Sequence, residues 1–277
     1  MTNIYRGMDR ATLDAAYNNQ NADPDFTQRF ADFQKRSAEF RDRTPCRLKL
    51  PFGDLPRQNY DFFPAEKSEA PTYIFIHGGY WQRSAKEDFS FIAEGPVKRG
   101  FNVVMAEYTL APDANLTQIV EEVGALLDHL KSDRDQLGIH RAPVCLSGHS
   151  AGGHLTATYR AHPLVTHAMP ISALVDLEPI SLCYLNDKLN LSRQEIEKFS
   201  PIHHISRGAP LTVVVGGAEL PELVRHSKEY AEACRTLGEP AEYVEIPGHL
   251  HFSILEELAK PNGELVKTLS RAMQQTA

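Results

Sequence analysis

Apolar positions along the chain recur with two periods that alternate. Short strand-like runs, alternating at first and more continuously apolar from 72 on, occupy residues 46–50, 58–63, 72–76, 101–106, 143–147, 168–172, 211–215 and 243–246. The run at 72–76 is apolar at every position after Thr72, which suits a central strand buried on both faces. Between them lie segments of helical spacing. Ile119, Val120, Val123, Leu126, Leu127 and Leu130 trace one face of an amphipathic helix. Further helices are predicted over 89–98, stopped by Gly100, over 192–199, over 221–237 with Gly238 as its stop, and from 254 to 259, where a last helix opens. Residues 1–44 are polar, with Leu13, Ala16 and Tyr17, then Phe26, Phe30, Phe33 and Phe40, at helical spacing. Two helices are expected there, split near residues 21–24, with Asp23 capping the second and Pro24 at its first position.

Repeated strand then helix, with apolar strands, predicts an α/β fold: a mostly parallel central sheet covered by helices on both faces. No repeat or long linker divides the chain. The expectation is a single domain over residues 1–277, with 1–44 as a helical cap.

Composition narrows the class. Of 277 residues, 42% are hydrophobic and 23% charged, ordinary for a soluble enzyme, and the net charge of -7 argues against a nucleic-acid partner. No apolar run approaches the ~18 residues of a membrane helix. The first residues lack an apolar secretory core, and Cys46, Cys145, Cys183 and Cys234 are scattered, so a reduced, cytoplasmic setting is expected. The partner expected is a small-molecule amide or ester; a homodimer is left open, and neither a metal nor another cofactor is called for.

Candidate chemistry gathers where strands end. Gly148-His149-Ser150-Ala151-Gly152 reads G-x-S-x-G between a strand and a helix, the setting of a nucleophile elbow. A serine hydroxyl needs a base and an acid that orients the base. In this fold the chain order is serine, acid, histidine. Glu219, just beyond the strand at 211–215, is the first candidate for the acid; Asp176 is the rival and Glu222 a third choice. After the last strand, His249 and His251 stand two residues apart; His251, directly before Phe252, is favoured as base. His77-Gly78-Gly79 leaves the strand at 72–76, and the N–H groups of Gly78 and Gly79 with that of Ala151 suit an oxyanion hole. His203 and His204 are adjacent, a poor arrangement for sharing one metal.

These motifs resemble α/β-hydrolases of the hormone-sensitive-lipase-like esterase group, and more closely the kynurenine formamidase branch. The broad likeness is carried by His77-Gly78-Gly79, by 107–112, by 148–153 and by Ser200-Pro201-Ile202. The narrower one is carried by Tyr80-Trp81-Gln82, where many esterases have a third glycine, by residues 8–18, 174–179 and 220–225, and by His251-Phe252-Ser253. The resemblance implies Ser150 as nucleophile, His251 as base and Glu219 as orienting acid, in place of the more usual aspartate. It implies hydrolysis of an N-formyl arylamide such as N-formylkynurenine. Tyr80 and Trp81 are then candidates to stack on an aryl ring, Tyr17 and Asn18 to stand near the substrate entrance, and Arg83 to meet a substrate carboxylate.

Overall fold

The computed structural model describes residues 3–139 and 142–275. Eight strands form one sheet: β1 (Arg47–Pro51), β2 (Asn59–Phe63), β3 (Thr72–Ile76), β4 (Asn102–Ala106), β5 (Val144–His149), β6 (His167–Ile171), β7 (Leu211–Gly216) and β8 (Ala241–Ile246). Their order is β1-β2-β4-β3-β5-β6-β7-β8. The β1–β2 and β2–β4 pairs are antiparallel, and every later pair is parallel. This is the α/β-hydrolase arrangement expected from the sequence, with helices on both faces.

The two faces are legible in the strands themselves. Tyr73 and Phe75 of β3, with Val103 and Met105 of β4, join one core cluster. Ile74 and Ile76, with Val104 and Ala106, join the other. Alternation sorts the side chains, while burial on both faces makes the run continuously apolar. The helix Leu116–Ser132 buries Ile119, Val120, Val123, Leu126, Leu127 and Leu130, and Asn115 and Gln118 close a capping box at its start.

The connection from β3 runs to β4 on one side, and the chain then returns to β5 on the other. Neighbouring connections therefore leave in opposite directions at the carboxyl ends of β3 and β5. Such a switch point opens a crevice, and both the 77–79 turn and Ser150 lie at its edge.

Local expectations need correction at three places. The N-terminal segment forms three helices, α1 (Arg10–Ala16), α2 (Asn19–Ala22) and α3 (Phe26–Arg43), rather than two. Asp23 does not cap α3, since Asp25 is the residue before it and makes no side-chain cap bond. The buried Asp23 carboxylate instead accepts from the Asp25 N–H at 3.1 Å and from Arg29 Nε at 2.9 Å. The helix expected at 89–98 is a pair of 3-10 turns, Lys86–Asp88 and Ser90–Ala93, followed by a short helix, Glu94–Lys98. Pro96 has no N–H to offer the Ile92 carbonyl, so a continuous α-helix over 89–98 would lack that bond. The last helix is broken between Ala259 and Glu264, because Pro261 holds the preceding residue in an extended conformation.

Helix α3 buries Phe33, Ser37 and Phe40. Phe33 stacks on Phe91 with centroids 4.4 Å apart, and Phe40 packs at 5.2 Å from Phe63. The Ser37 hydroxyl donates to the Asp88 carbonyl and accepts from the Phe91 N–H. Among the described residues no helix is long and apolar enough to cross a membrane.

Candidate active site

Ser150 follows β5 directly and adopts φ 57° and ψ -114°, a left-handed conformation that costs a non-glycine residue about 1–3 kcal/mol. It is held by the hydrogen bond from its N–H to the Ile171 carbonyl, 2.8 Å, and by the helix Ala151–Thr158 that starts at the next residue. The N–H groups of that first turn have no acceptor within the helix. They point toward the serine end with the positive end of the helix dipole.

The 77–79 turn rests against this elbow. A side chain added at Gly78 would meet the His149 carbonyl at 2.8 Å and the Ser150 Cβ at 3.1 Å. Only a glycine brings its backbone this close. Beneath the turn, His77 Nδ1 lies 2.8 Å from the Gly78 carbonyl and Nε2 lies 2.8 Å from Glu107 Oε1. Glu107 also accepts from Arg57 at 2.7 Å and from the backbone N–H of Lys86. Burial by itself would push the Glu107 carboxyl up; the His77 and Arg57 charges and the hydrogen bonds outweigh it and hold it at about 2.

Glu219 and His251 meet in the same place. His251 Nδ1 is 2.6 Å from Glu219 Oε2. The other carboxylate oxygen accepts from the Ser172 hydroxyl at 2.5 Å and the Gly216 N–H at 2.8 Å. Both side chains are nearly inaccessible. His149, fully buried, places Nε2 2.8 Å from the His251 carbonyl, with ring centroids 4.4 Å apart. Burial first, then the neighbouring His251, keeps its pKa well below the ordinary value, so it is a neutral imidazole whose Nε2–H donates to that carbonyl.

Ser150, His149, His251, Gly78 and Gly79 line one cavity of about 410 Å³. Its remaining wall is largely aromatic: Phe26 and Phe30 from α3, Phe89, Phe252 and Tyr80. The arrangement sets a serine, an imidazole with its carboxylate partner and a glycine turn around one mainly apolar cavity. That combination suits nucleophilic attack on a carbonyl, with proton transfer and charge stabilisation at hand.

Comparison with known proteins agrees with the fold. The family model BD-FAE matches residues 61–162, the span from β2 through the elbow helix. The chain is 29% identical over 242 residues to the kynurenine formamidase of Danio rerio, covering 82% of this chain and 81% of that one. The chain is an α/β-hydrolase that resembles the kynurenine formamidases. A solved structure of a Silicibacter protein provisionally described as a thioesterase superposes with a TM-score of 0.84 at 28% identity, over 93% of this chain and 98% of that one. An esterase of Pyrobaculum calidifontis shares the fold, with a TM-score of 0.72 at 19% identity over 98% of this chain and 100% of that one.

In this hydrolase the other candidate residues fall elsewhere. Asp176 accepts from the Tyr5 hydroxyl at 2.9 Å and from the Glu178 N–H, and Glu222 pairs with Arg225 and Tyr17. Neither touches His251. Tyr17 is not at the entrance: it is fully buried, with its hydroxyl 2.9 Å from His226 Nε2 and 3.1 Å from Glu222. Asn18 caps α2 and borders a different surface hollow, with Asp14, Tyr184 and Leu220. Trp81 is fully buried, edge-on to His154 at 5.0 Å, and lines no part of the Ser150 cavity. The physical cause is the run of positive φ at Gly79, Tyr80 and Trp81, which coils the loop so that Tyr80 faces the cavity and Trp81 turns into the core. The Tyr80 hydroxyl donates to the Tyr17 carbonyl and accepts from Asn19 Nδ2, tying the loop to the N-terminal helices.

Sequence reasoning missed Ser172, Phe26, Phe30 and Gln34 as neighbours of the site. The helical spacing of Phe26, Phe30 and Phe33 was visible, but not which part of that face meets the cavity. Ser172, at φ 51°, carries no motif at all.

Proposed function

We propose that the chain is a serine hydrolase that removes the formyl group from the amide of an aromatic amine, N-formylkynurenine or a close analogue. Ser150 Oγ attacks the formyl carbon while His251 Nε2 accepts its proton. Glu219 holds the opposite ring nitrogen and stabilises the imidazolium that forms. The N–H groups of Gly78, Gly79 and Ala151 receive the oxyanion. His251 then protonates the departing nitrogen, the arylamine leaves, and water, deprotonated by the same imidazole, releases formate from the serine. The N-terminal helices act as a cap, supplying Phe26 and Phe30 to the aryl-binding wall.

The observation that carries this reading is the 2.6 Å contact between His251 Nδ1 and Glu219 Oε2 beside the Ser150 cavity. A buried carboxylate both fixes the ring tautomer and favours the charged ring. The likeness to kynurenine formamidase supports the formamide. A second reading, hydrolysis of small acyl esters by the same groups, is favoured by the relative named acetyl esterase, 21% identical.

Comparison of kcat/KM on N-formylkynurenine and p-nitrophenyl acetate separates the two, with Ser150→Ala as control. The formamidase reading expects the formamide to be the better substrate, or comparable. An ester preference of a thousandfold or more (about 4 kcal/mol) would replace it with the esterase reading. Full activity in Ser150→Ala would end both.

A further inference from the structure

The loop that carries Gly78 and Gly79 also carries a cation without a counter-ion. Arg83 lines the Ser150 cavity and is half-buried. Its guanidinium makes no hydrogen bond or ion pair with any described residue, whereas Arg29, Arg36 and Arg57 are each paired with a carboxylate. Its backbone is firmly placed. The Arg83 N–H donates to the Gly79 carbonyl at 3.1 Å, and a side chain at Gly79 would come within 2.2 Å of the Arg83 carbonyl.

The rest of the wall offers the guanidinium no partner. Among the described residues lining the cavity, Asp88 is the single acidic one. It is already engaged by the Ala85 N–H at 2.9 Å and by Gln34 Nε2 at 2.8 Å. Phe26, Phe30, Phe89 and Phe252 supply apolar surface. Partial burial of an unpaired charge is unfavourable until an anion arrives, and a planar guanidinium fits a carboxylate through two parallel hydrogen bonds.

We propose that Arg83 is the subsite for a carboxylate on the aromatic substrate, so that the enzyme selects anionic over neutral aryl substrates. This rests on the hydrolytic reading of Ser150 given above. One end of the substrate is fixed at the oxyanion turn and the other at a cation on the same loop, with the ring against the phenylalanines between them.

The test uses matched pairs: N-formyl anilines and aryl acetates bearing a benzoate, phenylpropanoate or phenylbutanoate carboxylate, each beside its methyl ester. For at least one chain length, kcat/KM for the anion is expected to exceed that for the methyl ester about tenfold or more. In Arg83→Met that ratio falls about tenfold or more, and Arg83→Lys restores part of it. Equal rates on anion and ester in the wild type would overturn the proposal, as would an Arg83→Met ratio equal to the wild-type ratio. A uniform loss on both members of every pair would assign Arg83 to structure instead and overturn it too. If only the acetates are hydrolysed, the formamidase reading fails while the charge preference is still read on the acetates.

Discussion

The Ser172 hydroxyl donates to Glu219 Oε1 at 2.5 Å, joining residues 47 positions apart in the chain. Glu219 thereby has one oxygen fixed by Ser172 and the Gly216 N–H and the other directed at His251. Orientation of His251 thus depends on a residue that does not touch its ring. A hydrogen bond to a charged group contributes about 1.5–3 kcal/mol. Ser172→Ala is expected to lower kcat about tenfold with little change in KM. Glu219→Gln, which forces the wrong ring tautomer, is expected to lower it about 10³- to 10⁴-fold. Steady-state kinetics on both variants checks the order; equal losses would show that Ser172 does more than hold the carboxylate.

The elbow has no room for a methyl group. A Cβ at Gly152 would lie 2.0 Å from the Ile76 carbonyl oxygen and 2.7 Å from that of His77. Both are backbone atoms of β3 and the 77–79 turn, so neither yields without moving that strand and turn. Gly152→Ala is expected to destabilise by about 3 kcal/mol or more, lowering the melting temperature by roughly 5–10 °C. Calorimetry or circular dichroism reads the shift directly.

Acid should unfold the protein in two stages. Burial holds His154 and His167 at about 4, below the ordinary 6.5. Because the folded values are depressed, the unfolded chain takes up protons first as pH falls. The stability tied to these two groups is present above about 6.5 and is lost between there and 4. Each contributes up to about 3 kcal/mol. Glu107, held at about 2 against 4.5, adds stability present above 4.5 and lost between 4.5 and 2. Urea midpoints at about pH 7, 5.5 and 4 are expected to fall in that order. His154→Gln keeps a donor for the Phe199 carbonyl without titrating there, so it should flatten the upper stage. An unchanged slope would mean His154 is not the buried neutral group described.

Helix α3 closes the cavity with rings that touch one another. Phe26 lies 4.7 Å from Phe252, and Phe30 lies 5.7 Å from Phe26 and 6.1 Å from Phe89. An aromatic pair contributes about 0.5–1.5 kcal/mol beyond its buried area. Phe30→Ala is expected to raise KM for aryl substrates about threefold to tenfold and to alter kcat less. Phe33→Ala, deeper in the core and away from the cavity, should instead cost about 3–5 kcal/mol of stability and leave KM near the wild-type value. Kinetics and denaturation of the two variants separate the wall from the foundation.

The sequence by itself determined the alternation of strand and helix, the elbow at Ser150, the glycine turn at 77–79 and a short set of acids and histidines in the right order. These are local properties: a two-residue or 3.6-residue period, a turn that only small residues permit, a position just past a strand. Tertiary structure decided which members of the set meet. Glu219, Asp176 and Glu222 all follow strands or open helices, yet only Glu219 reaches His251, because the parallel pairing of β7 with β8 places their carboxyl ends side by side. It also sent Trp81 into the core and Tyr80 to the cavity, and it brought Phe26 and Phe30 over the serine. Such contacts join residues tens to hundreds of positions apart, and they follow from strand order and backbone direction, which no local pattern encodes.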